Sequence, residues 1–204
     1  NPYVDEDSAA AYVGNPDNRA AGLKAQARSV TVLKNSVLDG APVLPVTSRP
    51  KVYAEGIEPE ALARFGTPVG TPEEADLAVV RIGAPFEPRD DLFLESYFHQ
   101  GSLELRPGLV HRLRAIAAKT PLVLDVMLDR PAILTPLVDC LAALTATFGV
   151  ADDALLDVLA GREAPKGRLP VELPRSMDAV RASCPDAPAD TVDPLFPLGS
   201  GVDL

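Results

Sequence analysis

The run Leu122-Val123-Leu124-Asp125-Val126-Met127-Leu128 is apolar at every position but one. A strand with one wet face alternates polar and apolar residues; an unbroken apolar run is the pattern of a strand covered on both faces, as in a parallel sheet between helices. Asp129-Arg130-Pro131 ends the run. Working outward, Pro107 to Lys119 shows helical spacing through Leu109, Val110, Leu113 and Ile116, and Asp76 to Ile82 reads as a second buried strand. Downstream, Ala142 to Phe148 is another strand, and Asp152 to Leu159 a helix closed by Gly161. Upstream, Asn15-Pro16-Asp17 caps a helix over Asn18 to Arg28. Val30 to Leu33 and Lys51 to Ala54 are short strands, Pro59 to Phe65 is a helix, and residues 35–50, with prolines at 42, 45 and 50, are a loop. This alternation predicts an α/β sandwich around a mostly parallel sheet.

The last forty residues break that rhythm. Gly167-Arg168-Leu169-Pro170-Val171-Glu172-Leu173-Pro174 and Asp193-Pro194-Leu195-Phe196-Pro197-Leu198-Gly199-Ser200-Gly201 set φ-restricting and φ-freeing residues among apolar anchors. Neither stretch suits a regular helix or a central strand, and together they read as a shaped strap pinned by Leu195, Phe196 and Leu198. The net charge of −10, from 19 basic and 29 acidic residues, opposes binding to nucleic acid or an anionic membrane. No apolar stretch approaches membrane-spanning length. Aromatics are 5% and Trp is absent, which poorly supplies the exposed rings of a sugar-stacking module. Cys140 and Cys184 form no spaced framework, and Cys140 reads as a buried, inert thiol.

The strap resembles the end of the second, C-terminal domain of glycoside hydrolase family 3, which carries Gly-x-Leu-Pro and then Pro-Leu-Phe-Pro-Phe-Gly-x-Gly-Leu. Leu198 stands here where Phe is usual, and Val202-Asp203-Leu204 replaces Leu-Ser-Tyr. Asn1-Pro2-Tyr3-Val4-Asp5 is similar to the linker leaving the family's first domain, and Ala27-Arg28-Ser29-Val30-Thr31-Val32-Leu33-Lys34-Asn35 to its Ala-Arg-x-Ser-x-x-Leu-Leu-Lys-Asn signature. The resemblance implies a three-layer, flavodoxin-like sandwich, with a linker over 1–14, the α/β domain over 15–174 and the strap over 175–204. It also implies a β-glucosidase-like, retaining hydrolase whose nucleophilic Asp lies on an N-terminal (β/α)8 barrel of about 250 residues outside this chain. The partners expected are that barrel and a carbohydrate substrate. No metal or organic cofactor is implied, and the piece alone is expected to be inactive because two catalytic groups act non-additively.

Ordinary motif searches find no dinucleotide fingerprint, phosphate loop, His-Glu-x-x-His, Cys-x-x-Cys or nucleophile elbow. What remains is residues 83–106, a long polar segment following a buried strand, at the sheet edge where α/β proteins meet ligands. Glycoside hydrolysis needs one carboxyl group to protonate the leaving oxygen and another to attack or to activate water. The family's acid/base Glu precedes a Leu-x-Leu stretch, often as Glu-x-x-Gly-x-Asp-Arg. Counting back from Leu103-Glu104-Leu105 reaches Glu95, with Glu87 as its rival, because Phe98, His99 and Gln100 depart from that pattern. His99 and Tyr97 are the candidate substrate-binding residues. His99 has three readings: a hydrogen bond to Glu95, a contact to a sugar hydroxyl, or a cap on the turn at Gly101. Tyr97 and Phe98 either wall a sugar subsite or plug the loop onto the core. Asp129-Arg130 can reach the same edge or make a domain-interface salt bridge. The alternatives to catalysis are a non-catalytic carbohydrate-binding or scaffolding domain and, less in keeping with the motifs, an unrelated flavodoxin-like regulatory domain.

Overall fold

A computed structural model describes residues 3–91, 93–184, 186–187 and 189–204. Asn1 and Pro2 of the expected linker, Leu92 of the long loop, and Pro185 and Pro188 of the strap region lie outside the described residues. The strands are β1 (Thr31–Asn35), β2 (Val37–Leu38), β3 (Ala41–Pro42), β4 (Lys51–Glu55), β5 (Thr67–Pro68), β6 (Leu77–Gly83), β7 (Leu122–Met127) and β8 (Ala143–Thr147). The helices are α1 (Glu6–Tyr12), α2 (Pro16–Ser29), α3 (Pro59–Phe65), α4 (Pro107–Ala117), α5 (Asp152–Leu159) and α6 (Met177–Ala182). Six strands form one sheet in the order β1-β8-β7-β6-β4-β5. All neighbours run parallel except β1, which pairs antiparallel with β8. The protein is therefore an α/β domain on a mixed, mostly parallel sheet.

The apolar runs behave as their pattern predicts, each strand feeding two cores. Ala78, Val80, Leu122, Leu124, Val126, Leu144 and Ala146 enter one core, and Leu77, Val79, Val123 and Ala143 the other. The second core is closed by α2, α3 and α5 through Ala27, Ala61, Leu62, Phe65, Leu155, Leu156 and Leu159. The first core receives only one long helix, α4, through Leu113 and Ile116; irregular chain supplies the rest, including Leu134, Leu137, Leu169 and Leu173. α2 starts at its expected cap, with the Asn15 side chain accepting from the Asn18 amide. The loop at 35–50 contains the small β2–β3 hairpin and a cis peptide before Pro45.

The strap covers that helix-poor face. Leu169 and Leu173 are fully buried, and Leu195 and Phe196 pack on the same core half-covered. Its two arms bond each other: the amides of Leu173 and Leu195 donate to the Phe196 and Leu173 carbonyls (2.9 and 2.8 Å), and that of Leu169 to Ser200 (2.9 Å). It is also tied beside β1, the amides of Gly167 and Val202 donating to Val30 and Val32 carbonyls at 3.1 and 2.7 Å. Its pinning residues are thus Leu169 and Leu173 as much as Leu195 and Phe196, while Leu198 stays exposed. Two short helices fall where none is expected. α1 lies inside the 1–14 segment and buries no residue; α6 lies inside 175–204, its Ser176 cap accepting from Ala179. Cys140 is half-buried rather than buried and Cys184 is exposed; both thiols are free.

One polar cluster interrupts the second core. Asp125, fully buried on β7, accepts from Arg81 Nε (2.8 Å), Thr145 (2.7 Å) and Thr147 (3.0 Å), and Arg81 reaches on to Asp152 at 2.5 Å. Replacing Asp125 by Asn removes one charge of a buried pair, although Asp152 still partners Arg81. The expected loss is about 3 kcal/mol, read in urea denaturation as a lower midpoint with unchanged slope.

Candidate functional site

The site is built at the carboxyl edge of the sheet, where β6 hands the chain to residues 84–106. Apolar anchors and backbone bonds fix both feet of this loop. The Ala84 amide donates to the Met127 carbonyl (2.9 Å), Glu87 to Gln100 (2.8 Å), and Ile133 to Leu103 (2.9 Å). Leu103 and Leu105 are buried, and Glu104 makes a parallel bridge with Ile133. Arg130 Nη2 donates to the Gly101 carbonyl at 2.7 Å, while its Nη1, a buried atom, has no partner among the described residues. Gly101 has φ +79°, and a Cβ there would stand 2.4 Å from a carboxylate oxygen of Glu87. Only glycine meets both demands.

Glu95 opens a single 3₁₀ turn, Glu95–Tyr97, on the outer part of the loop and is half-buried. Glu87 is exposed and sits at the loop's foot with its carboxylate against Gly101. His99 bonds neither carboxylate. Its Nδ1 meets Asp129 Oδ2, and its ring lies flat on Phe86, centroids 3.7 Å apart and planes within 6°. Of the three readings of His99, the hydrogen bond to Glu95 is not made; Asp129 stands in that place. Tyr97 meets Phe93 edge-on (5.6 Å, 78°), and both rings are exposed, as is Phe98. They do not plug the loop onto the core. Arg89 forks onto Asp91, which holds the Asp91 carboxyl below the usual carboxylate range. His111, on α4, is an exposed surface residue.

Loop and strand ends converge here. Asp129 and Arg130, just past β7, grip the loop at His99 and Gly101, so the structure joins two segments that the sequence separates by about thirty residues. Beneath them Asp125, Arg81 and Asp152 form the polar floor of the second core. Burial pushes the Asp125 carboxyl up, while the Arg81 guanidinium and the two threonine hydroxyls pull it down. No sequence motif marks this network; the one visible signal is a lone Asp inside an apolar strand. Among the described residues no group of three or more His, Cys, Asp or Glu is placed to hold a metal ion. Two hollows of about 380 and 390 Å³ lie away from the loop, one at the opposite sheet edge beside Lys34 and Cys140, one beside Lys166 and Leu204.

An open α/β domain with an acidic and aromatic loop at the strands' carboxyl edge defines the class. Residues 6–204 match the glycosyl hydrolase family 3 C-terminal domain, and the chain belongs to that family. It is 40% identical over 208 residues to beta-glucosidase C of Emericella nidulans, covering all of this chain and 33% of that protein. It is 41% identical over 206 residues to the periplasmic beta-glucosidase/beta-xylosidase of Dickeya chrysanthemi, covering 98% of this chain and 31% of that protein. The chain thus spans about a third of the length of these relatives. Among solved structures, a β-glucosidase from Erythrobacter marinus superposes over 100% of this chain and 37% of its own with a TM-score of 0.78; at 16% identity that is a likeness of fold.

The Gly101 geometry has a direct consequence. Gly101→Ala is expected to cost about 1–3 kcal/mol through a strained positive φ and to drive the Glu87 carboxylate off its seat. Hydrogen exchange should show faster exchange at the amides of Glu87 and Ala84, with the sheet amides unchanged.

Proposed function

We propose that this chain is the C-terminal, three-layer flavodoxin-like domain of a retaining β-glucosidase-like hydrolase acting on β-glucosides or related β-linked sugars. Residues 1–14 serve as the linker, 15–174 as the sandwich and 175–204 as the strap. The observation that carries the reading is the family match through nearly the whole chain, together with carboxylates and exposed rings gathered at one sheet edge. The nucleophilic Asp belongs to an N-terminal (β/α)8 barrel, and this chain delivers the general acid/base on the 84–106 loop. Glu95 takes that role, with Glu87 as rival; it protonates the leaving oxygen and then deprotonates the water that releases the glycosyl-enzyme. His99 and Tyr97 contact the sugar.

Two features of the chain support a divided site. The loop lines neither of the two hollows described, so a sugar lying on it needs a second wall. Phe93, Leu94, Tyr97 and Phe98 are also exposed together on this loop, and exposed apolar side chains grouped in one place are the kind of surface a partner domain covers. The domain alone therefore has negligible activity.

The test is aryl β-glucoside hydrolysis by the full-length protein, with and without azide. Glu95→Ala is expected to lower turnover by about 10²- to 10⁴-fold, and azide to restore it with a glycosyl azide as product. Unchanged turnover transfers the role to Glu87. An inactive wild type that also fails to bind sugars favours a non-catalytic, scaffolding domain.

A further inference from the structure

Three constraints meet on one imidazole. Phe86 covers a face of the His99 ring, the Asp129 carboxylate takes its Nδ1, and the Glu87–Gln100 backbone bond fixes the chain one residue away. An ionised carboxylate only accepts hydrogen bonds, so the ring proton facing Asp129 sits on Nδ1. Nε2, on the opposite edge of a ring whose side chain is 41% exposed, has no hydrogen-bond partner among the described residues. With the Nδ1 proton held by Asp129, Nε2 of the neutral ring is an acceptor, and nothing among the described residues donates to it. The Nδ1 bond sets the tautomer and the Phe86 stack sets the ring's rotation, so the Nε2 edge is presented in one direction.

We propose that Asp129 is a positioning residue: it fixes His99 as the Nδ1–H tautomer and so makes Nε2 an acceptor for a hydroxyl group of the bound sugar. This rests on the reading that the 84–106 loop faces a sugar, and it adds the residue that decides which hydrogen-bond role His99 plays. Asn at 129 reverses that role. Its amide can donate to Nδ1, which moves the ring proton to Nε2 and sets a donor where an acceptor is required. Glu at 129 keeps a carboxylate within reach and preserves the tautomer.

The experiment compares full-length wild type, Asp129→Asn, Asp129→Glu and His99→Phe on an aryl β-glucoside and its 2-, 3-, 4- and 6-deoxy analogues. His99→Phe keeps the stack on Phe86 and removes both nitrogens; thermal melts check that each variant is folded. In wild type, one deoxy analogue should lose about tenfold or more in kcat/KM relative to the parent, the scale of one hydrogen bond. That penalty should shrink to about twofold or less in Asp129→Asn and His99→Phe, and survive in Asp129→Glu. The same penalty persisting in folded Asp129→Asn and His99→Phe overturns the proposal, because the pair then only holds the loop. If wild type neither hydrolyses nor binds any of the glucosides, the reading of the loop as a sugar site fails and the proposal with it. Full wild-type activity with no collapse in the variants sinks the proposal alone.

Discussion

The carboxyl edge of the sheet stands on the buried pairing of Arg81 with Asp125. The two residues are direct partners in register across β6 and β7, and Thr145 lies opposite Asp125 on β8, so one polar rung crosses three parallel strands. Both side chains point into the core whose buried hydrophobic residues are Leu, Val, Ala and Phe, where an unpaired charge is costly. Slipping any of these strands by one residue would turn its polar group to the other face and strand its partner. The rung also reaches out of the sheet. Arg81 holds Asp152, the first residue of α5, and Asp152 accepts from the Glu58 amide at the start of α3 at 2.7 Å. Strand register and the seating of two helices thus share one set of charges. The loop bearing Glu87, Glu95 and His99 leaves the sheet only a few residues beyond Arg81, and the segment that grips it leaves a few residues beyond Asp125.

The two faces of the sheet solve the same burial problem differently. Three helices cover one; the other has a single long helix and is completed by the strap. A strap can replace a helix because its backbone groups find partners in its own opposite arm and at β1, so burying it leaves few polar groups unpaired. The density of Pro and Gly that forbids regular structure in this segment is what lets Leu169, Leu173, Leu195 and Phe196 drop onto the core from irregular backbone.

The strands and long helices were legible in the sequence because burial on two faces and burial on one stripe leave different periods. β6, β7 and β8, like α3 and α5, fall within a residue or two of the expected bounds. The direction of β1 was not legible: antiparallel and parallel pairing bury the same side chains. α1 and α6 lack the apolar stripe from which a helix is recognised, since neither buries a residue. At the site, the sequence marks out the loop by composition and Glu95 only through family resemblance. It does not reveal that His99 belongs to Asp129 or that Arg130 belongs to Gly101, because both pairings depend on the parallel neighbours β6 and β7 ending side by side. Asp125 showed as an anomaly in an apolar strand, but its partner lies 44 residues upstream.

The distribution of rings ties these threads together. The chain has six Phe and four Tyr and no Trp. Only Phe65 among them is fully buried in a core otherwise packed with aliphatic side chains, whereas Phe86, Phe93, Tyr97, Phe98 and Phe148 are all exposed on segments following β6 or β8. A protein short of aromatics that sets five of its ten rings exposed at this one edge has placed large apolar surfaces where burial on folding does not repay them. Their free energy is recovered only when that edge is covered. The carboxylates and the oriented imidazole stand among these rings, so whatever covers the edge also desolvates them. Removing water strengthens each hydrogen bond and charge interaction that a sugar would meet there.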